Sequence, residues 1–184
     1  ALHVPLYWMV QSGKKADPCP HCNRGLFVTH AVDIEAAFKG IDLKIAPVHF
    51  ESGANAHGVA AIFYTGIEKL GQKVADLKGT LGGDPIGHLA RVGELNCSIE
   101  RAVENLGKIA AYNAKNAPEF AACAVNTLVY NKAGASAVEE LAAAIATGVE
   151  YMRAFMAQGM SADDAAKQIV FVLSVGPQFF MEIA

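Results

Sequence analysis

The chain has 184 residues, 53% hydrophobic and 18% charged, with a formal net charge of −3. That balance excludes a disordered or solvating chain, because enough apolar surface exists to offset the ordering entropy. It also leaves no basic footprint for nucleic acid, and no apolar run approaches the roughly 20 residues of a membrane span. The length suits one domain with its own core. Residues 1–10 (ALHVPLYWMV) lack the basic start and small-residue cleavage site of a secretory leader. A cytoplasmic address is expected.

Short β-branched and aromatic runs alternate with helical stretches. Leu6–Val10 is a first candidate strand, followed by the polar loop Gln11–Pro18 and the motif Cys19-Pro20-His21-Cys22. Leu26–His30, Leu43–Phe50, Leu77–Leu81, Ala121–Tyr130 and Ile169–Val175 are predicted strands. They are nearly continuous apolar runs, as in parallel strands covered on both faces. Asn55–Leu70 and Ile99–Lys115 are predicted helices, and Pro85 suits the first turn of another. Ser136–Gly159 is the clearest helix: Ser136 and Glu139 form a capping-box pattern, and Gly159 supplies the C′ residue. Val138, Leu141, Ile145, Val149, Met152 and Phe155 recur at helical spacing and are expected to pack against a sheet. Ser161 caps a short helix, and PQFFMEIA (177–184) has the pattern of a helix that continues.

Alternating strands and helices imply right-handed crossovers and a parallel sheet. An open doubly wound sheet and a closed eightfold barrel both fit that order. No GxGxxG follows a strand, so a nucleotide-binding open sheet has no support. The fold class is α/β, a (β/α) TIM-type barrel that is incomplete, since five to six strands fall short of eight. Residues 1–184 form one domain or a fragment of it, with 1–24 an irregular N-terminal segment.

Candidate chemistry is sparse. Cys19 and Cys22 are the pattern of a thiol oxidoreductase or, with His21 or His30, of a zinc site that needs a fourth ligand. Yet the motif follows a polar loop and leads into a predicted strand, and a lone C-x-x-C lacks further ligands; two loop thiols without a task also fit. Cys97 and Cys123 are expected to be small buried hydrophobes. His30, His49 and His88 stand at or just past predicted strand ends, where barrel sites gather. His49, Glu51, Asp84, Tyr130 and Asn131 are the rim residues on which substrate contacts are expected, though each also fits a structural polar role. The glycine-rich stretch Gly79–Asp84 suits a tight turn or a close backbone approach by a ligand.

Thr127–Ala184 carries a more specific pattern: Ala133-Gly134-Ala135, Glu140-Leu141-Ala142, Gly148-Val149-Glu150-Tyr151, Gly159-Met160-Ser161 and Phe179–Ala184. In order and spacing these blocks resemble the barrel domain of methylmalonyl-CoA mutases, with weaker support from Val32–Gly40, Val48–Phe63 and Gly79–Asp84. The resemblance covers about residues 25–184. It implies radical carbon-skeleton rearrangement of an acyl-CoA, started by adenosylcobalamin that a separate domain holds through Asp-x-His-x-x-Gly. That motif is absent here, so this chain alone is not expected to bind the cofactor. Catalytic members carry a histidine where Val129 stands and a glutamine where Gly82 stands. The resemblance therefore implies a small, non-catalytic subunit in a heterodimer with a larger catalytic mutase subunit, with no catalytic residue in this chain. A thiol or zinc protein using Cys19 and Cys22, and a stand-alone acyl-CoA-binding barrel, are the alternatives.

Overall fold

The computed structural model describes residues 2–4, 28–176, 180 and 183. Five strands form one sheet: β1 (Leu2–Val4), β2 (Val48–Phe50), β3 (Gly79–Gly83), β4 (Phe120–Asn126) and β5 (Ile169–Val172). Every pairing is parallel, and the spatial order β1-β2-β3-β4-β5 is the sequence order. A doubly wound sheet reverses its strand order at a switch point, and this one never does. The fold is thus an arc of a singly wound (β/α) barrel, as the sequence led us to expect.

Helices fill the connections: α1 (Ala31–Phe38), α2 (Ala56–Lys69), α3 (Pro85–Val92), α4 (Ile99–Asn116), α5 (Leu128–Lys132), α6 (Ala137–Ala157) and α7 (Ala162–Lys167). They begin where side chains satisfy free N–H groups. Ser98, Ser136 and Ser161 accept from the N–H groups of Arg101, Glu139 and Asp164. Glu139 completes the predicted capping box on Ser136. Between sheet and helices lies an aromatic cluster, in which Phe63 of α2 packs edge-on against Phe50 at 4.7 Å and Phe38 at 5.7 Å. Phe120 on β4 meets Phe63 at 5.7 Å, so one ring joins two strands and two helices.

Several predicted elements move. Residues 28–30 are not strand: His30 begins α1, because the Asp33 carboxylate accepts the N–H groups of Thr29 (2.8 Å) and His30 (2.9 Å). Leu43–Ala46 is a turn rather than strand, closed by Ala46 N–H on Asp42 O at 3.0 Å, and only Val48–Phe50 pairs. The third strand runs two residues further than predicted, and the fourth stops at Asn126, where α5 begins. The apolar stripe on α6 is corrected in part: Phe155 is buried and Met152 packs against the core as expected, but the other four positions do not. The face against the sheet is Glu140, Ala144, Thr147, Gly148, Tyr151 and Phe155. Val138, Leu141, Ile145 and Val149 are instead 42–79% exposed. The two sets differ by one residue, a rotation of about 100°. Leu6–Val10 and most of PQFFMEIA lie outside the described residues.

Candidate functional site

Sites on barrels gather where strands end and loops to the next helices begin. Here that rim is stitched by backbone. Gly53, after β2, donates to Gly82 O at 3.1 Å, while Asp84 N–H donates to Gly53 O at 2.9 Å. Buried Ser52 adds its hydroxyl to Leu81 O at 2.7 Å. The ladder between β3 and β4 shifts register between Thr80 and Gly83, and Gly82 has φ +68° at this irregularity. A Cβ on Gly82 would stand 1.7 Å from the Phe50 carbonyl oxygen. The close approach foreseen for the glycine-rich stretch is made by the neighbouring strand.

Asp84 is 6% exposed and caps α3. Its Oδ1 accepts from Gly87 N–H at 2.9 Å and from the Tyr151 hydroxyl at 2.6 Å; its Oδ2 accepts from Asn126 N–H at 3.2 Å. Tyr151 oxygen in turn accepts the Ile86 N–H at 2.9 Å. Two strands and two helices meet on these two groups. Burial raises the Asp84 pKa against the lowering effect of its donors. Burial and the nearby Asp84 push the Tyr151 hydroxyl far up, so it stays a donor. Cys123 is fully buried, as expected, and burial raises its thiol pKa, whereas Cys97 is exposed, contrary to the expectation.

A second network surrounds Glu140, 4% exposed in the first turn of α6. It accepts from Ser174 N–H at 2.8 Å, Asn131 Nδ2 at 3.0 Å and the Thr127 hydroxyl. Thr127 also lies 3.0 Å from Val172 O through its hydroxyl, and its N–H donates to the same carbonyl. Burial raises the Glu140 pKa, but the donors outweigh it and leave the group below its ordinary value.

These networks decide what the rim residues do. Asp84 and Asn131 hold the strand ends together. His49 sits on β2 opposite Thr80, its neighbours Val48 and Phe50 being the residues in the buried core. Glu51 follows β2 and Tyr130 lies on α5, both half-buried. Val129 is half-buried on α5. His88, on α3, has its Nδ1 against Gly53. Cys19 and Cys22 lie outside the described residues, and among those described no group of three metal-ligating side chains comes together. Glu140, Thr127 and Tyr151 escaped sequence reasoning as site residues. The available signal was a glutamate and a tyrosine on the same helical face as Ala144 and Phe155.

The strand order and the rim define a segment of a (β/α) barrel whose polar strand-end groups are bonded to one another. A family model described as methylmalonyl-CoA mutase matches residues 11–184, beginning upstream of the residues that carry the resemblance. The chain belongs to the methylmalonyl-CoA mutase family. It is 36% identical over 151 residues to the methylmalonyl-CoA mutase small subunit of Streptomyces virginiae, covering 82% of this chain and 24% of that protein. It is 30% identical over 160 residues to the methylmalonyl-CoA mutase of Cereibacter sphaeroides, covering 87% and 23%. To the large subunit from Propionibacterium freudenreichii subsp. shermanii it is 26% identical, covering 87% and 22%. The chain thus spans about a quarter of the length of these relatives. The family fits the mutase reading and not a thiol or zinc protein. No helix among the described residues is long and apolar enough to cross a membrane.

Two outcomes follow from the networks. Tyr151→Phe leaves a buried carboxylate one donor short and should cost about 2 kcal/mol in urea unfolding. The same change should lower Tm by about 4–8 °C. Glu140→Gln should destabilise the chain at neutral pH. A folded pKa below the unfolded one contributes stability that is lost as pH falls through the folded value. The gap between wild type and Glu140→Gln should therefore close on acidification below the ordinary value of 4.5. Unfolding midpoints measured from pH 7 down to pH 3 check the sign.

Proposed function

We propose that this chain is the barrel part of the small, non-catalytic subunit of an adenosylcobalamin-dependent acyl-CoA mutase. The assembled enzyme interconverts methylmalonyl-CoA and succinyl-CoA, and this subunit works in a heterodimer with a larger catalytic subunit. Gly82 carries the reading. The resemblance assigns a substrate-binding glutamine to this position in catalytic members, whereas here φ is +68° and the Phe50 carbonyl fills the place of a side chain. The strand is built around the absence of that residue. Val129, at the position of the histidine, offers no donor for a thioester carbonyl.

The described rim does not fit cobalamin either. Asp84, Thr127, Asn131 and Glu140 direct their polar groups at one another and at neighbouring backbone. No step of the rearrangement is assigned to this chain. Its residues hold the strand ends, and the catalytic subunit supplies the radical chemistry. His49 and Tyr130 are the rim residues assigned here to contact with a substrate or the partner.

Purified chain supplied with adenosylcobalamin and methylmalonyl-CoA should form no succinyl-CoA, and turnover by the chain alone would overturn the proposal. Gly82→Gln should not bring activity. Left-handed backbone strain of about 1–2 kcal/mol and overpacking of about 1–3 kcal/mol act together there. Thermal unfolding should show a Tm lowered by about 4–20 °C.

A further inference from the structure

Helices α2 and α4 leave a groove between them on the helical side of the sheet, apart from the strand-end rim. Glycines on their far flanks draw the two helices away from each other. A Cβ on Gly66 would stand 2.6 Å from the Ile34 side chain, so α2 lies tight on α1. A Cβ on Gly107 would stand 3.1 Å from Ala154 O, so α4 lies tight on α6. Where α2 and α4 face each other, Ala60 and Ala61 are too short to fill the gap, and buried Ile109 floors it. The space is about 460 Å³, within the range that takes small ligands.

An aromatic pair forms its wall. Tyr64 and Tyr112 stack with ring centroids 5.7 Å apart and planes 23° from parallel. Tyr64 is buried, and its hydroxyl donates to Asn113 Oδ1 at 2.7 Å, while Asn113 Nδ2 donates to Phe120 O at 2.9 Å. Tyr64 is thereby fixed, and it supports Tyr112, which stays 45% exposed. A wall held in this way loses little freedom when a ligand arrives.

Most polar groups along the groove are already engaged. Lys108 Nζ lies 2.7 Å from the Glu104 carboxylate, and the Thr65 hydroxyl donates to Ala61 O at 2.8 Å. His57 stands at the other end of α2 from Glu68, roughly 16 Å away along the helix. Glu68 lies one turn beyond Tyr64 on the same face. Its carboxylate has no ion pair among the described residues. A free anion beside a half-exposed aromatic ring is a recognition pair for a cation.

We infer that this groove binds a small organic ammonium ion. The cationic head lies between the Tyr112 ring and the Glu68 carboxylate, and the apolar group lies over Ala61 and Ile109. An anion would be repelled by Glu68, and a neutral apolar molecule would gain only the floor. The inference goes beyond the mutase reading and does not depend on it.

Titration of the isotope-labelled chain with benzyltrimethylammonium tests it, followed by the amide shifts of Ala61, Thr65 and Tyr112. Benzyl alcohol and benzenesulfonate keep the ring and remove or reverse the charge. The ammonium ion should give saturable shifts at these amides, and both comparison ligands should bind about tenfold more weakly. Glu68→Gln and Tyr112→Leu should each weaken the ammonium ion about threefold. Glu150→Gln, at an exposed position of α6, should leave its affinity unchanged. Glu68 and Tyr112 are both exposed, so spectra unchanged away from the groove establish the fold of each variant. Absence of saturable shifts at the groove overturns the inference. Equal binding of benzyl alcohol would also overturn it, and so would an affinity indifferent to Glu68→Gln.

Discussion

The buried carboxylate of Asp84 is the constraint on which the rim depends. A carboxylate taken out of water is tolerated only when donors replace its hydration. Gly87, Tyr151 and Asn126 supply them, each from a different element. The requirement therefore fixes the start of α3, the height of α6 and the exit of β4 relative to one another. Glu140 does the same one strand further on, for β4, α5 and the segment after β5. Two acids set the C-terminal end of the sheet through the donors they accept from neighbouring elements.

On the proposed reading, this arrangement explains how a barrel can lack a catalytic site and keep its shape. A catalytic rim needs polar side chains aimed into the space a substrate will occupy. Those that remain here are aimed along the rim instead, and backbone closes the place of a side chain at Gly82. The Phe50 carbonyl can approach there only because the residue has no Cβ. The same absence that removes a hydrogen-bonding residue permits tight stitching between β2 and β3. Non-catalytic character, on this reading, is a packing state of the strand ends.

Much of the architecture was legible because it rests on local rules. Ser136 with Glu139, Ser161, and Pro85 after Asp84 mark helix starts by chemistry that acts within three residues. Alternation of apolar runs and helices implied a parallel sheet, and the strand order confirms the barrel-type winding. Failures arose where one local signal had two solutions. Leu43–Ala46 is apolar enough for a strand, but Gln72 receives the Leu43 N–H and the chain turns. Thr29 and His30 look like strand until Asp33 takes their N–H groups. The partners of Asp84 and Glu140 were invisible for another reason: Tyr151 lies 67 residues from Asp84, and Ser174 lies 34 from Glu140. No spacing rule reaches so far.

Helix α6 shows the limit of periodicity most clearly. An apolar stripe at helical spacing says that a face is covered, not by what. In α6 the strongest stripe belongs to the more exposed flank. The flank on the sheet mixes Glu140, Thr147 and Gly148 with Ala144, Tyr151 and Phe155. Contact with a sheet edge and two polar networks demands small and hydrogen-bonding residues there, so the buried face is the less hydrophobic one. A purely apolar stripe suits contact with another helix, which offers only side chains. The composition of each flank therefore reports the kind of surface it meets.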